Sequence, residues 1–190
     1  MQAIRTLRLQ PVSELPQSSL PTHNWITSSL EASLYEFFHV VCAKDFSLYF
    51  ENNFWEPILL RTAQTEPSIY HAALAISALS RRSYFPIQDW HDSVWRTPSA
   101  TQYSILQYNL AIQHLNARLD GSAESVWLAV LASIIFIQIQ HLQDDFSLAS
   151  VHLRGGLSLL PGLGSGSRDA GSFEDALCQI QNELAIMEGM

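Results

Sequence analysis

The feature that most limits how this chain can fold is a long apolar segment, Val126–Ile137, interrupted only by Ser133. Apolar residues surround the helix axis here, so a helix over roughly 122–142 needs partners on every side. Ser122 can cap its first turn, and Glu124 lies near its positive end. The segment falls short of the roughly 20 apolar residues that cross a membrane. We therefore predict a central buried helix of a soluble protein and no membrane association.

Apolar residues recur three and four positions apart on both sides of this segment, which predicts further amphipathic helices. Pro67 suits the first turn of one of them, and Phe46–Asn53 breaks the pattern after the first. No stretch shows the alternation of a half-buried strand. The predicted helices cover roughly 28–41, 54–63, 67–82, 100–119, 122–142, 144–160 and 173–187. In the helix 100–119 the predicted inner face carries Ile105, Tyr108, Ala111, Ile112, Leu115 and Leu119.

These patterns predict an all-α fold of about seven helices, arranged as stacked helical hairpins around the central apolar helix. Residues 1–24 hold scattered prolines among polar residues and are predicted to be a flexible N-terminal segment. The helical domain is predicted over 25–160, followed by a Gly/Ser-rich loop over 161–172 and an acidic amphipathic helix over 173–190. The stripe Leu177, Ile180, Leu184 and Met187 of that last helix has two interpretations: an acidic activation segment, or a packed terminal helix.

Two segments of the chain resemble each other. Residues 108–119 and 146–157 share an aromatic residue, Leu, Ala, His, Leu and Leu at identical offsets, 38 residues apart. This distance is typical of helical repeats, which stack two helices per unit. Ala111 and Ala149 would allow neighbouring helices to approach closely, and His114 and His152 follow them on the same helical face.

Charge and cysteine content exclude several classes of protein. The 190 residues contain 18 acidic and 10 basic side chains, a net charge of −8, whereas a protein that binds duplex DNA usually presents a basic face. Cys42 and Cys178 are too few for a disulfide scaffold or a cysteine-rich zinc module. The first residues also lack the apolar stretch of a secretory signal. We expect an intracellular protein that does not bind DNA directly.

No motif predicts catalysis, and we predict no catalytic, cofactor-binding or metal-binding residues. The seven histidines lack metal-ligand spacing, although His114, His141 and His152 could converge on a ligand if their helices pack together. Hydrogen bonds within the fold are the alternative role for them. The carboxylate pairs Asp144-Asp145 and Glu174-Asp175 fit helix N-termini. Trp90 and Trp95 lie in a long apolar loop over 83–99 and suggest a pocket for a small-molecule effector.

Several segments, in this order along the chain, resemble the regulatory region of fungal binuclear zinc-cluster transcription factors. They are Phe37-Phe38; residues 54–79 with Phe54-Trp55-Glu56-Pro57, Glu66-Pro67 and His71-Ala72; Tyr108-Asn109-Leu110-Ala111-Ile112 with Arg118-Leu119; the apolar helix 126–139; and His152-Leu153-Arg154-Gly155-Gly156 with Leu159-Leu160. The resemblance covers roughly residues 30 to 160.

In that family the helical region follows a six-cysteine zinc cluster that reads DNA, whereas this sequence has two distant cysteines. The resemblance therefore implies a transcription regulator without its own DNA-reading head, acting in the nucleus. Its expected partners are proteins, either the transcription machinery or a zinc-cluster factor, and its expected targets are a metabolic gene set, including secondary-metabolite genes. The alternative is a helical protein-interaction module outside transcription.

Overall fold

The computed structural model describes residues 28–84, 99–163 and 169–188, and the regular structure within these ranges is entirely helical. The predicted all-α class is confirmed. The elements in chain order are α1 (Ser29–Phe37), a π-helical turn (Phe38–Cys42), α2 (Ala43–Tyr49), α3 (Trp55–Thr65), α4 (Pro67–Tyr84), α5 (Ala100–Arg118), α6 (Ala123–His141), α7 (Phe146–Leu159), a 3-10 turn (Leu160–Leu163) and α8 (Ala170–Glu188).

The first helical segment extends further than its apolar pattern predicts. It runs from α1 through the π-helical turn into α2 and ends at Tyr49, so the break predicted over 46–53 begins too early. Leu34, Phe38, Cys42 and Phe46 are all buried at a spacing of four. This spacing drifts around a regular α-helix of 3.6 residues per turn, and the wider π turn compensates for the drift. The π turn therefore keeps a single face of this segment against the core.

The centre of the fold contains two helices. The prediction for α6 is confirmed, since nearly all side chains from Leu128 to Ile139 are buried. Its length and hydropathy would also fit a membrane span, but 72% of that span is buried inside the fold, as in a core helix of a soluble protein. α4 is equally central, because Ala72–Ala75 are fully buried around its axis. The small alanines of α4 allow its neighbours to approach closely.

The two similar segments occupy equivalent places in two successive hairpins. α4 packs mainly against α5, and α6 packs mainly against α7. Residues 108–118 belong to α5, with Leu119 as its C-cap, and residues 146–157 belong to α7, so each copy lies in the second helix of a hairpin. Ala111 and Ala149 are both fully buried, as expected for small residues at close helix crossings. The predicted stack of helical hairpins is therefore found.

The inner face of α5 differs from the predicted one. Ile105 and Leu119 were assigned to it, but these side chains are 45% and 49% exposed. Instead α5 buries Tyr103, Ser104 and Gln107 together with Ala111. The prediction is therefore wrong for Ile105 and Leu119 and right for Ala111, while Tyr108, Ile112 and Leu115 are partly buried against the core. It assumed that only apolar residues define the inner face, whereas a polar side chain such as Gln107, which bonds to His71, can be buried there too.

The C-terminal helix packs into the core. α8 begins at Ala170, three residues before its predicted start, and it contacts α6 and α7. Leu177, Ile180 and Leu184 are almost completely buried, whereas Met187 at the end of the stripe is 45% exposed. An activation segment would need this stripe to be accessible to a partner. The structure therefore shows the packed terminal helix.

Candidate functional site

The sequence suggests a shared site for His114, His141 and His152, but in the structure each of them has different neighbours. His114 stacks on His71 across the α4–α5 contact, with ring centroids 5.2 Å apart and planes inclined by 6°. The Nδ1 atom of His71 lies 2.7 Å from Oε1 of the buried Gln107. Because a carbonyl oxygen only accepts, His71 donates this bond. Burial lowers the pKa of His71 below its usual range, so this imidazole is neutral at pH 7.

His152 connects α7 to α5 and α6. Its Nε2 atom lies 2.6 Å from the hydroxyl of Tyr108, and the ring of Phe136 lies edge-on at 5.3 Å from both rings. Burial lowers the pKa of His152, so the ring is neutral and Nε2 accepts the hydrogen bond from Tyr108. These residues form an interhelical contact that leaves no open position for a ligand on Nε2.

His141, at the end of α6, lies beside Phe146 and lines a cavity to which neither His114 nor His152 contributes. Burial lowers its pKa as well. The three imidazoles thus do not meet in this cavity. A reaction that uses them together lacks the necessary geometry.

Acid is expected to destabilise the fold through these rings. His71, His141 and His152 have folded pKa values below 6.5, so the unfolded chain binds more protons. Their contribution to stability is complete above about pH 6.5 and is lost as the pH falls through the lowered folded values. We expect the urea midpoint to be lower at about pH 5 than at about pH 7.5, and His152→Gln to make that difference smaller.

Unfolding curves followed by circular dichroism at both pH values test this expectation. Gln keeps an acceptor for the Tyr108 hydroxyl but does not titrate. His39→Gln is the matched control, since His39 is exposed. An equal effect of the two substitutions on the pH dependence would contradict the assignment.

The paired carboxylates do not form a reactive centre. Asp145 caps α7 as predicted, accepting a hydrogen bond from the backbone N–H of Leu148 at 3.0 Å. The predicted cap of α6 is also present, since Oγ of Ser122 accepts a hydrogen bond from the backbone N–H of Ser125. Glu174 and Asp175 are exposed, but they lie in the second turn of α8 because the helix begins earlier than predicted. Within the described ranges no cluster of three or more His, Cys, Asp or Glu could hold a metal.

Among the described residues, the cavity beside His141 is the best candidate for a ligand-binding site. It measures about 420 Å³ and lies between α2, α4, α6 and α8, with Cys42 of the π turn at its wall. Cys42 is buried as predicted, and burial raises its pKa to about 11, so the thiol is protonated and weakly nucleophilic. No sequence motif predicts this cavity, because its lining residues are spread along the chain from residue 42 to residue 187. The pocket that the sequence predicts, near Trp90 and Trp95, falls outside the described residues.

The residues that carried the family resemblance contact one another across helices. Glu66, at the start of α4, accepts two hydrogen bonds from the guanidinium of Arg118 at 3.0 and 3.2 Å. Gly156 of α7 lies so close to α6 that an added Cβ would be 2.4 Å from Oγ of Ser133. With the Tyr108–His152 bond, these contacts link α4 to α5, α5 to α7 and α7 to α6. The motifs therefore describe how the helices pack.

Comparison with protein families agrees with this interpretation. A family model described as the fungal specific transcription factor domain matches residues 33–183. The chain belongs to this family. The fungal specific transcription factor domain thus extends from α1 into α8, beyond residue 160 where the sequence resemblance ended, so the packed C-terminal helix is part of it. No curated protein and no solved structure matches the chain.

Proposed function

We propose that this fungal specific transcription factor domain regulates transcription in the nucleus through contacts with other proteins, such as the transcription machinery or a zinc-cluster factor. The family match over residues 33–183 carries the proposal. The absence of a convergent catalytic constellation among the described histidines and carboxylates favours a binding role over an enzymatic one. The domain would then act through its surfaces.

The charge of the chain supports action without direct DNA contact. A net charge of −8 opposes approach to a phosphate backbone. Two guanidiniums are also bound to side chains of this domain: Arg118 binds Glu66 at the surface, and Arg81 donates to Oγ of Ser33 at 2.9 Å. The 190 residues also contain two cysteines, whereas a binuclear zinc cluster needs six.

A tethered reporter tests the regulatory role. The 190-residue chain is fused to an unrelated DNA-binding domain and recruited to a promoter, and we expect expression to change at least about threefold. Gly156→Val, which disrupts the contact of α7 with α6, should abolish the change, whereas the matched Gly155→Val should not, because nothing lies within 4 Å of an added Cβ at Gly155. Equal output with and without the domain would contradict the proposal.

The same pair of variants separates a folded domain from an acidic tail. If α8 activated transcription as an unfolded acidic segment, its effect would survive Gly156→Val. If Gly156→Val loses the change in reporter expression and Gly155→Val keeps it, the packed surface of the folded domain is required. Binding partners captured only from cytosolic proteins, together with an unchanged reporter, would favour an interaction module outside transcription.

DNA binding is tested directly with the purified chain. We expect no saturable binding to promoter duplexes in fluorescence anisotropy at low salt, where phosphate contacts are strongest. Tight binding that weakens steeply with added salt would contradict this part of the proposal.

We further propose that the regulated genes form a metabolic set, including secondary-metabolite genes. Deletion of the gene should then change metabolic transcripts coherently in RNA sequencing, and scattered changes would count against it.

A further inference from the structure

The cavity between α2, α4, α6 and α8 has the size of a small-molecule site. Its volume of about 420 Å³ falls within the roughly 300–1,000 Å³ of known ligand pockets. Tyr49 and Met187 line it and are 37% and 45% exposed, so the cavity opens to solvent beside them. A space of this size holds a small molecule rather than a helix of a partner protein.

The charge of the cavity is one-sided. Asp45 and Glu183 line it, whereas its lining residues include no Lys or Arg. The carboxylate of Glu183 is held in place, because it accepts hydrogen bonds from the hydroxyl of Tyr49 and from Nε2 of Gln179. Asp45 lies at the exposed edge of the cavity, where partial burial raises the pKa of its carboxyl group.

The remaining walls provide apolar contact and the ring of His141. Phe46, Ile76 and Leu142 supply apolar surface. Nε2 of His141 is buried and has no hydrogen-bond partner among the described residues. Such an atom is costly to leave unpaired, and the residue that carries it also lines the cavity.

We propose that this cavity binds a small organic cation, an alkylammonium group attached to an apolar body. The ammonium group pairs with Asp45 and Glu183, and the apolar body lies against Phe46, Ile76 and Leu142, beside the ring of His141. An anionic ligand is excluded because it would place a third negative charge beside two carboxylates. The proposal concerns binding alone, so it stands or falls independently of the regulatory role.

A charge series of one ring system tests the proposal. Isothermal titration of the full 190-residue chain compares tryptamine, which is protonated at neutral pH, with the neutral tryptophol and the anionic indole-3-acetate. We expect tryptamine to bind at least about tenfold more tightly than tryptophol, and indole-3-acetate more weakly than either. Equal affinities for the three compounds, or no measurable binding of tryptamine, would overturn the proposal.

Charge-neutralising variants locate the binding. Glu183→Gln and Asp45→Asn should each weaken tryptamine binding at least about fivefold and leave tryptophol binding unchanged. Asp175→Asn is the matched control, because it removes one exposed charge from the same helix as Glu183, at the other end of α8. If Asp175→Asn weakens tryptamine binding as much, the attraction is only that of a net-acidic protein and the proposal is wrong. Should Glu183→Gln impair folding, Asp45→Asn at the exposed edge decides the question by itself.

Discussion

Replacing Trp55 with alanine is expected to lower the free energy of unfolding by about 3–5 kcal/mol. Trp55 is 1% exposed and lies among the rings of Phe46, Phe50, Phe54 and Phe173, with centroids 4.7–6.5 Å away. This aromatic cluster joins the consecutive helices α2 and α3 to α8, which lies far from them in sequence. Since domains are stable by only about 5–15 kcal/mol, the loss removes a large part of the total.

Urea unfolding followed by circular dichroism measures this loss. Leu48→Ala is the control, because Leu48 is also a large apolar side chain of this region but is 74% exposed, and we expect a change within about 0.5 kcal/mol. Trp55→Phe should fall between the two, since it keeps one ring in the cluster. Similar midpoints for Trp55→Ala and Leu48→Ala would show that the cluster does not hold α8 to the rest of the domain.

Gly156→Val is expected to destabilise the domain by about 3 kcal/mol, while Gly155→Val leaves it as stable or slightly more stable. At Gly156 an added Cβ would be 2.4 Å from Oγ of Ser133 and 3.2 Å from Cδ2 of Leu177. The hydroxyl of Ser133 is already bound to the carbonyl of Val130 at 2.7 Å, so moving it breaks a buried hydrogen bond. α7 must therefore separate from both α6 and α8.

The neighbouring glycine isolates this steric effect. Gly155 is in the same helix and is exposed, with nothing within 4 Å of an added Cβ. Its replacement by valine removes the flexibility of glycine and tests helix propensity without the clash. Thermal unfolding of the two variants gives the comparison, and equal melting temperatures would refute the close three-helix contact at Gly156.

Several local features of the fold could be predicted from the chain because their causes lie within a few residues. α6 follows from its continuous apolar segment, the start of α4 follows from Pro67, and the caps at Ser122 and Asp145 follow from side chains beside the first turn. The family also followed from the sequence, because its motifs keep their order. The motifs nonetheless gave no information on what Glu66 and Arg118 bind.

Tertiary packing decided the candidate site. His114, His141 and His152 had equivalent apolar helical settings in the sequence, yet they acquired three different environments, and only the fold assigns Tyr108 to His152. The same holds for Ile105, which periodicity places inside and the structure leaves 45% exposed. Periodicity identifies which residues share a helix face, but it does not identify whether that face contacts another helix or solvent.

The sequence by itself determined the helical class, the central position of α6 and the family. Only the tertiary structure decided that α8 packs into the core and that Cys42, Asp45, His141 and Glu183 line one cavity. The physical reason is the range of the interactions. Helix periods and caps depend on side chains three or four positions apart, whereas a cavity depends on how four helices approach one another, which side-chain volumes across the whole core determine together.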